Sequence, residues 1–192
     1  MLSGDRDPLG DVVIGPDLTA TAALSDALRV VLAAISPTIP GYRGAALLLL
    51  GHTCDATVRE LVSLDIADVT ATREGLALKI RRQDGEREDL ISLSRQRVDP
   101  TNCAVAATRR LLDSLHAAGR TDGPLFVRTD GYAWVPRSAT QGKRAAYDPT
   151  GRLSAGAAAN IVIRSSRAAG IEFNCDWTKD SLRLCFSTAT GP

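Results

Sequence analysis

At 192 residues, with 44% hydrophobic and 23% charged side chains, the chain suits one domain with its own core. No run of eighteen apolar residues occurs, and the opening MLSGDRDPLG lacks the basic and apolar regions of a secretory signal, so neither a spanning helix nor export by signal peptide is expected. The net charge of +1 is no argument for nucleic acid.

In chain order, residues 1–18 are rich in Gly, Pro and Asp and read as a flexible leader, leaving 19–192 as the domain. A helix is expected from about Thr21 to Ile35, with Leu24, Leu28, Val31 and Leu32 on one face, broken by SPTIPG. Residues 42–53 form a second helix, apolar all round at Leu47 to Leu50 and therefore central. A third, short helix spans about 56–63, with Asp55 as its expected N-cap and Val58, Leu61 and Val62 inward. Three apolar runs follow: DIADV, GLALKIRR and EDLISL. They predict a small three-stranded antiparallel sheet, two strands joined by a turn at Asp84-Gly85.

A helix over about 101–118 comes next, capped near Thr101 or Asn102. GPLFVRTDGYAWV suggests a short strand or hairpin, and PRSATQGKRAAYDPTGR a polar loop. A helix from Ser154 to Ala169 stops at Gly170. KDSLRLCFSTATGP closes the chain as a helix, with Leu182, Cys185, Phe186 and Ala189 on one face. The expected fold class is α+β and helix-dominated.

Charge is unevenly spread. Residues 134–192 hold eight Lys/Arg against four Asp/Glu, a mildly basic third that suits either a phosphate-facing side or a solvated surface. Cys54, Cys103, Cys175 and Cys185 form no C-x-x-C pair, and His52 and His116 complete no metal spacing. They are expected to be reduced cysteines of a cytosolic protein, mostly packed in the core, with no metal and no cofactor. His52-Thr53-Cys54 is a poor Cys/His nucleophile, because near neighbours on a helix point apart.

The stretch YRGAALLLLGHTCDATVRELVSLDIADV resembles the start of the catalytic domain of tyrosine recombinases (phage integrases). There a buried apolar helix leads to a G-x-R-x-S-E-L-x-x-L turn and helix and then to a D-[IV] strand. Glu60-Leu61, Leu64 and DIADV match these pieces, GLALKIRR and LISL resemble the family's small sheet, and DSLRLCFSTA lies where the family has H-x-L-R-H-x-F-A-T. The resemblance covers about residues 20–190, each motif weak alone, their order more specific. It implies a recombinase catalytic-domain-like fold without the family's N-terminal DNA-clamping domain.

The family's chemistry is phosphoryl transfer on DNA. A tyrosine attacks the phosphodiester, two arginines hold its free oxygens, and a hairpin lysine and a histidine move protons. By the resemblance, Thr57 stands at the first arginine, Asp180 at the histidine and Arg183 at the second arginine. Arg59 is two positions from the first slot, on the wrong helix face. The hairpin carries Arg81, Arg82 and Arg87 but no lysine at its tip, and arginine is a poor general acid. Tyr42, Tyr132 and Tyr147 lie far upstream of the nucleophile's place, and Pro192 comes before it. The expectation is a degenerate, C-terminally truncated relative with no intact catalytic set, and hence no enzyme.

Three readings follow. In the first, the chain is a DNA-binding or regulatory pseudoenzyme that holds double-stranded DNA through Arg81, Arg82, Arg87, Lys143, Arg144, Asn160, Arg164, Arg167 and Arg183, with Arg152 nearby. Asn160, Arg164 and Arg167 form an i, i+4, i+7 stripe. In the second, it is an interaction module whose groove, left open by the absent tail around Leu184 and Phe186, takes a protein partner or a second copy. In the third, it is a mobile-element remnant without activity. Arg183 is also placed to pair with Asp180 at i, i+3. The expected location is cytoplasmic, nucleoid-associated if DNA is bound.

Overall fold

The structure, a computed structural model, describes residues 26–83, 87–95, 102–129, 150–172, 175–176 and 179–187. The expected leader, the Asp84-Gly85 turn, Lys143, Arg144, Tyr132, Tyr147 and Ala189 lie outside these residues. The elements are α1 (Asp26–Ala33), α2 (Ile39–Thr53), α3 (Val58–Ser63), β1 (Val69–Ala71), β2 (Gly75–Arg81), β3 (Glu88–Ser94), α4 (Ala104–Ala117), α5 (Ala155–Ala168) and α6 (Leu182–Ser187). The fold is mixed α+β, with about half of the described residues helical. No helix among them is long and apolar enough to cross a membrane.

α2 is the axis of the core. Ala46 through Leu50 are at most 1% exposed, as an all-round apolar helix requires. α4, α6, α3 and α5 pack around it. It starts at Ile39, earlier than expected and inside SPTIPG, because Thr38 accepts a hydrogen bond from Gly41 N–H and Pro40 sits in the first turn, where proline is tolerated.

The sheet has order β1-β2-β3, all antiparallel, with Val69 opposite Leu78, Leu78 opposite Ile91 and Arg81 opposite Glu88. Leu76, Leu78 and Ile80 of β2 and Ile91 and Leu93 of β3 point into the core, while Lys79 and Arg81 face water. DIADV is not a strand throughout. Ile66–Asp68 is a 3-10 turn and β1 begins only at Val69. Asp68 is responsible: its buried carboxylate accepts from Asp65 N–H at 2.9 Å and from Arg81 at 3.0 Å, a local bond that competes with a ladder.

Two expected caps move. α3 is capped by Thr57, not Asp55, in a capping box with Glu60: Thr57 Oγ1 accepts from Glu60 N–H, and the Glu60 carboxylate accepts from Thr57 N–H. α4 is preceded by Cys103 at its N-cap position, which makes no side-chain cap, so the expected cap at Asn102 is displaced, and Thr101 lies outside the described residues. α5 fits its expectation, with Ser154 capping the start and Gly170 at φ +70° beyond the end. In place of a strand in GPLFVRT there are single antiparallel bridges, Asp65 to Pro124 and Val127 to Arg152.

The reduced-thiol expectation holds for Cys54 and Cys103, both free and buried. It fails for Cys175 and Cys185, which form a disulfide because the chain doubles back to bring their Cα atoms within 5.5 Å. This removes one ground for a cytosolic assignment, since disulfides are rare there. Alkylation of the denatured, unreduced protein should therefore label two of the four cysteines by intact mass, and all four after reduction. Labelling of all four without reduction would refute the link.

Candidate functional site

α6 is docked on the start of α3. Leu182 N–H donates to Ala56 O at 3.0 Å, Ser181 bridges Thr57, and Ser181 Oγ donates to the Asp55 carboxylate. Asp55 can turn the chain this way because it holds φ at +51°, a conformation that Asp tolerates better than most residues. The sheet hairpin closes the third side: Gln83 Nε2 donates to Thr57 Oγ1 at 2.7 Å and Gln83 N–H to Glu60 at 3.2 Å. Three segments far apart in sequence thus meet at one open cleft of about 390 Å³. Asp55, Thr57, Glu60, Arg82, Gln83, Arg87, Lys179 and Ser181 line it.

Arg82 occupies the floor. Its Nε donates to Asp89 at 2.7 Å, its Nη2 to Cys54 O at 3.3 Å, and its Nη1 to Asp55 O at 3.3 Å and Glu60 at 3.4 Å. Burial works against its charge, but Asp89 and Glu60 outweigh it and keep its pKa above the ordinary arginine value. The cationic fork is spent on protein oxygens.

Arg183 is also spent, but not on Asp180. Its Nε donates to His52 O at 2.9 Å and its Nη2 to Thr53 O at 2.7 Å, so it caps the C-terminal carbonyls of α2. A cation is favoured there by the orphan carbonyls and the helix dipole. The Asp180 carboxylate instead accepts from Asp176 N–H at 2.8 Å. The expected Asp180–Arg183 pair is thus replaced by two local caps.

His52 and Cys54 do not form a nucleophile pair. Burial pushes the Cys54 thiol up to about 12 although Arg82 and Arg183 pull it down, so it stays protonated at neutral pH. Burial, with Arg183 adding to it and Asp55 opposing, lowers the His52 pKa, so this imidazole is neutral.

The cations expected on a DNA face divide into two groups. Those of the hairpin are matched by carboxylates: Arg81 with Asp68 and Glu88, Arg82 with Glu60 and Asp89, and Arg87 with Asp89. Arg152 is pinned too, with Nη1 on Val62 O and Leu64 O and Nη2 on Asp65. Those of α5 are different. Asn160, Arg164 and Arg167 are all exposed, and neither arginine meets a carboxylate among the described residues. Arg59 is exposed, as a surface residue should be. Phe186, expected on an open apolar face, is 2% exposed, and Leu184 alone of that pair reaches water at 50%.

Sequence reasoning missed one cationic pair. Arg43, 7% exposed on α2, lines a second cleft with Arg164 of α5. The only available signal was an arginine one turn before an apolar run, which is a strange place to bury a charge.

Fold and cleft together define a mixed α+β protein whose α2–α3 junction, sheet hairpin and α6 share a polar recess. Comparison with protein-family models, with curated proteins and with solved structures finds no match to this chain.

Proposed function

We propose that the chain is a non-catalytic, tyrosine-recombinase-like protein that contacts double-stranded DNA through α5. The observation that carries the DNA contact is the exposed stripe of Asn160, Arg164 and Arg167, whose two guanidiniums lack acidic partners among the described residues. A duplex phosphate is the natural ligand for such a stripe, since backbone contacts need charge and donors but no chemistry. The recombinase-like frame is supported by the meeting of residues 55–60, 82–83 and 179–183, the segments the resemblance names, at one recess. The absence of catalysis is supported by the roles these side chains hold. Thr57 caps a helix, Asp180 caps a turn, and Arg183 caps α2, so none is poised over a phosphate.

Fluorescence anisotropy with a labelled duplex at two salt concentrations tests the reading. Binding should be submicromolar at low salt and fall steeply as salt rises. Arg164→Ala with Arg167→Ala should weaken it roughly tenfold or more and flatten the salt slope by about two counterions. Arg81→Ala should change little, because Asp68 and Glu88 already neutralise that arginine. No binding at low salt ends the proposal. A covalent protein–DNA adduct trapped on a nicked substrate would end its non-catalytic half.

A further inference from the structure

The cleft that Arg43 and Arg164 share lies between the α1–α2 connection, the first turn of α2 and one face of α5. Its volume is about 370 Å³, at the lower end of the roughly 300–1,000 Å³ usual for small-ligand sites. Ser36, Thr38 and Ser165 add hydroxyls to its wall, and no Asp or Glu lines it among the described residues. Arg43 is built in. Its Nη1 donates to Val127 O at 2.8 Å, while its Nε is buried with no partner. A buried donor without an acceptor is costly and uncommon in a folded protein. Arg164, on α5, brings a second positive charge to the same cleft and, among the described residues, uses only Nε, on Asn160 O at 3.2 Å.

We propose that the Arg43–Arg164 cleft binds a phosphate group. Two guanidiniums lining one cleft supply the charge and the planar donor forks that a tetrahedral oxyanion takes up best. Burial and then Arg164 push the Arg43 pKa down to about 10, so Arg43 stays charged at neutral pH and its repulsion by Arg164 is unrelieved until an anion enters. Arg164 also belongs to the α5 stripe, and a free phosphate monoester and a DNA backbone phosphate offer the same oxygens, so the test carries one arm for each source.

Titration calorimetry with inorganic phosphate, at constant ionic strength against chloride, is the test. Saturable binding with Kd on the order of 1 mM is expected for so small a ligand. Arg164→Ala, a surface change that spares the fold, should weaken it at least tenfold. Arg43→Lys should weaken it severalfold, because a point charge replaces a fork. Arg110→Ala, an exposed arginine of α4, should leave it unchanged. A second arm repeats the duplex anisotropy with saturating phosphate. Displacement of the duplex assigns the site to DNA backbone, and unchanged duplex binding assigns it to a free phosphate monoester. No saturable heat in the wild type, or equal binding by Arg164→Ala, overturns the proposal.

Discussion

Arg82→Ala should cost the fold about 3 kcal/mol, within the range for breaking one side of a largely buried ion pair. The side chain is 15% exposed and ties four separate oxygens together: the carbonyls of Cys54 and Asp55 behind α2, Glu60 on α3 and Asp89 on β3. Truncation leaves Glu60, itself 7% exposed, without its cation, and unties the sheet from the α2–α3 junction. Urea denaturation should show a lower midpoint with an unchanged slope. Arg82→Lys should recover less than half the loss, because one ammonium cannot reach oxygens on three elements. A loss below about 1 kcal/mol in the alanine variant would mean that water replaces the guanidinium and that the network is a surface feature.

Gly51→Ala should cost about 2 kcal/mol, a usual figure for forcing a methyl into a packed core. A Cβ at Gly51 would lie 2.8 Å from Leu182 Cγ and 2.9 Å from its Cβ, so α2 and α6 touch there with no room to spare. Leu182 is 0% exposed and cannot swing into solvent. The helix would have to shift, carrying Arg183 off the His52 and Thr53 carbonyls. Thermal unfolding should fall by roughly 2–4 °C per kcal/mol lost for a chain of this size. The discriminating measurement is a double-mutant cycle. Leu182→Ala opens space at that contact, so the pair should cost clearly less than the sum of the two single changes. Strict additivity would show that the contact is not where the strain falls.

Much of the fold was readable because its signals are periodic and local. The Leu47–Leu50 run, inside a longer apolar segment, reads as a buried helix, and the alternation of Leu76, Leu78 and Ile80 as one face of a strand. Ser154 and Gly170 bracket α5 as their chemistry demands. Where local signals competed, the outcome was harder to see. Thr57-Val58-Arg59-Glu60 is a capping box, yet Asp55, two positions earlier, is an equally good cap by residue type. The hydrogen bond from Ser181, more than a hundred residues away, decides it by occupying Asp55. Asp68 likewise delays the start of β1 to Val69, through Asp65 N–H and an arginine on the neighbouring strand.

The candidate site divides the same way. That α5 would carry Asn160, Arg164 and Arg167 on one stripe follows from helical spacing, and the structure leaves all three exposed. Which arginines keep free charge could not follow from spacing. The hairpin guanidiniums are neutralised by Asp68, Glu88, Glu60 and Asp89, and Arg152 by Asp65. The amino-acid order by itself determined the helices, β2 and β3 and the faces they bury, because those depend on neighbours three or four residues apart along a helix, or two along a strand. Only the tertiary structure decided that Arg183 caps a helix, that Cys175 joins Cys185, and that Arg43 and Arg164 face one cleft. Charge pairing and anion affinity depend on distances between residues remote in the chain, and folding alone sets those distances.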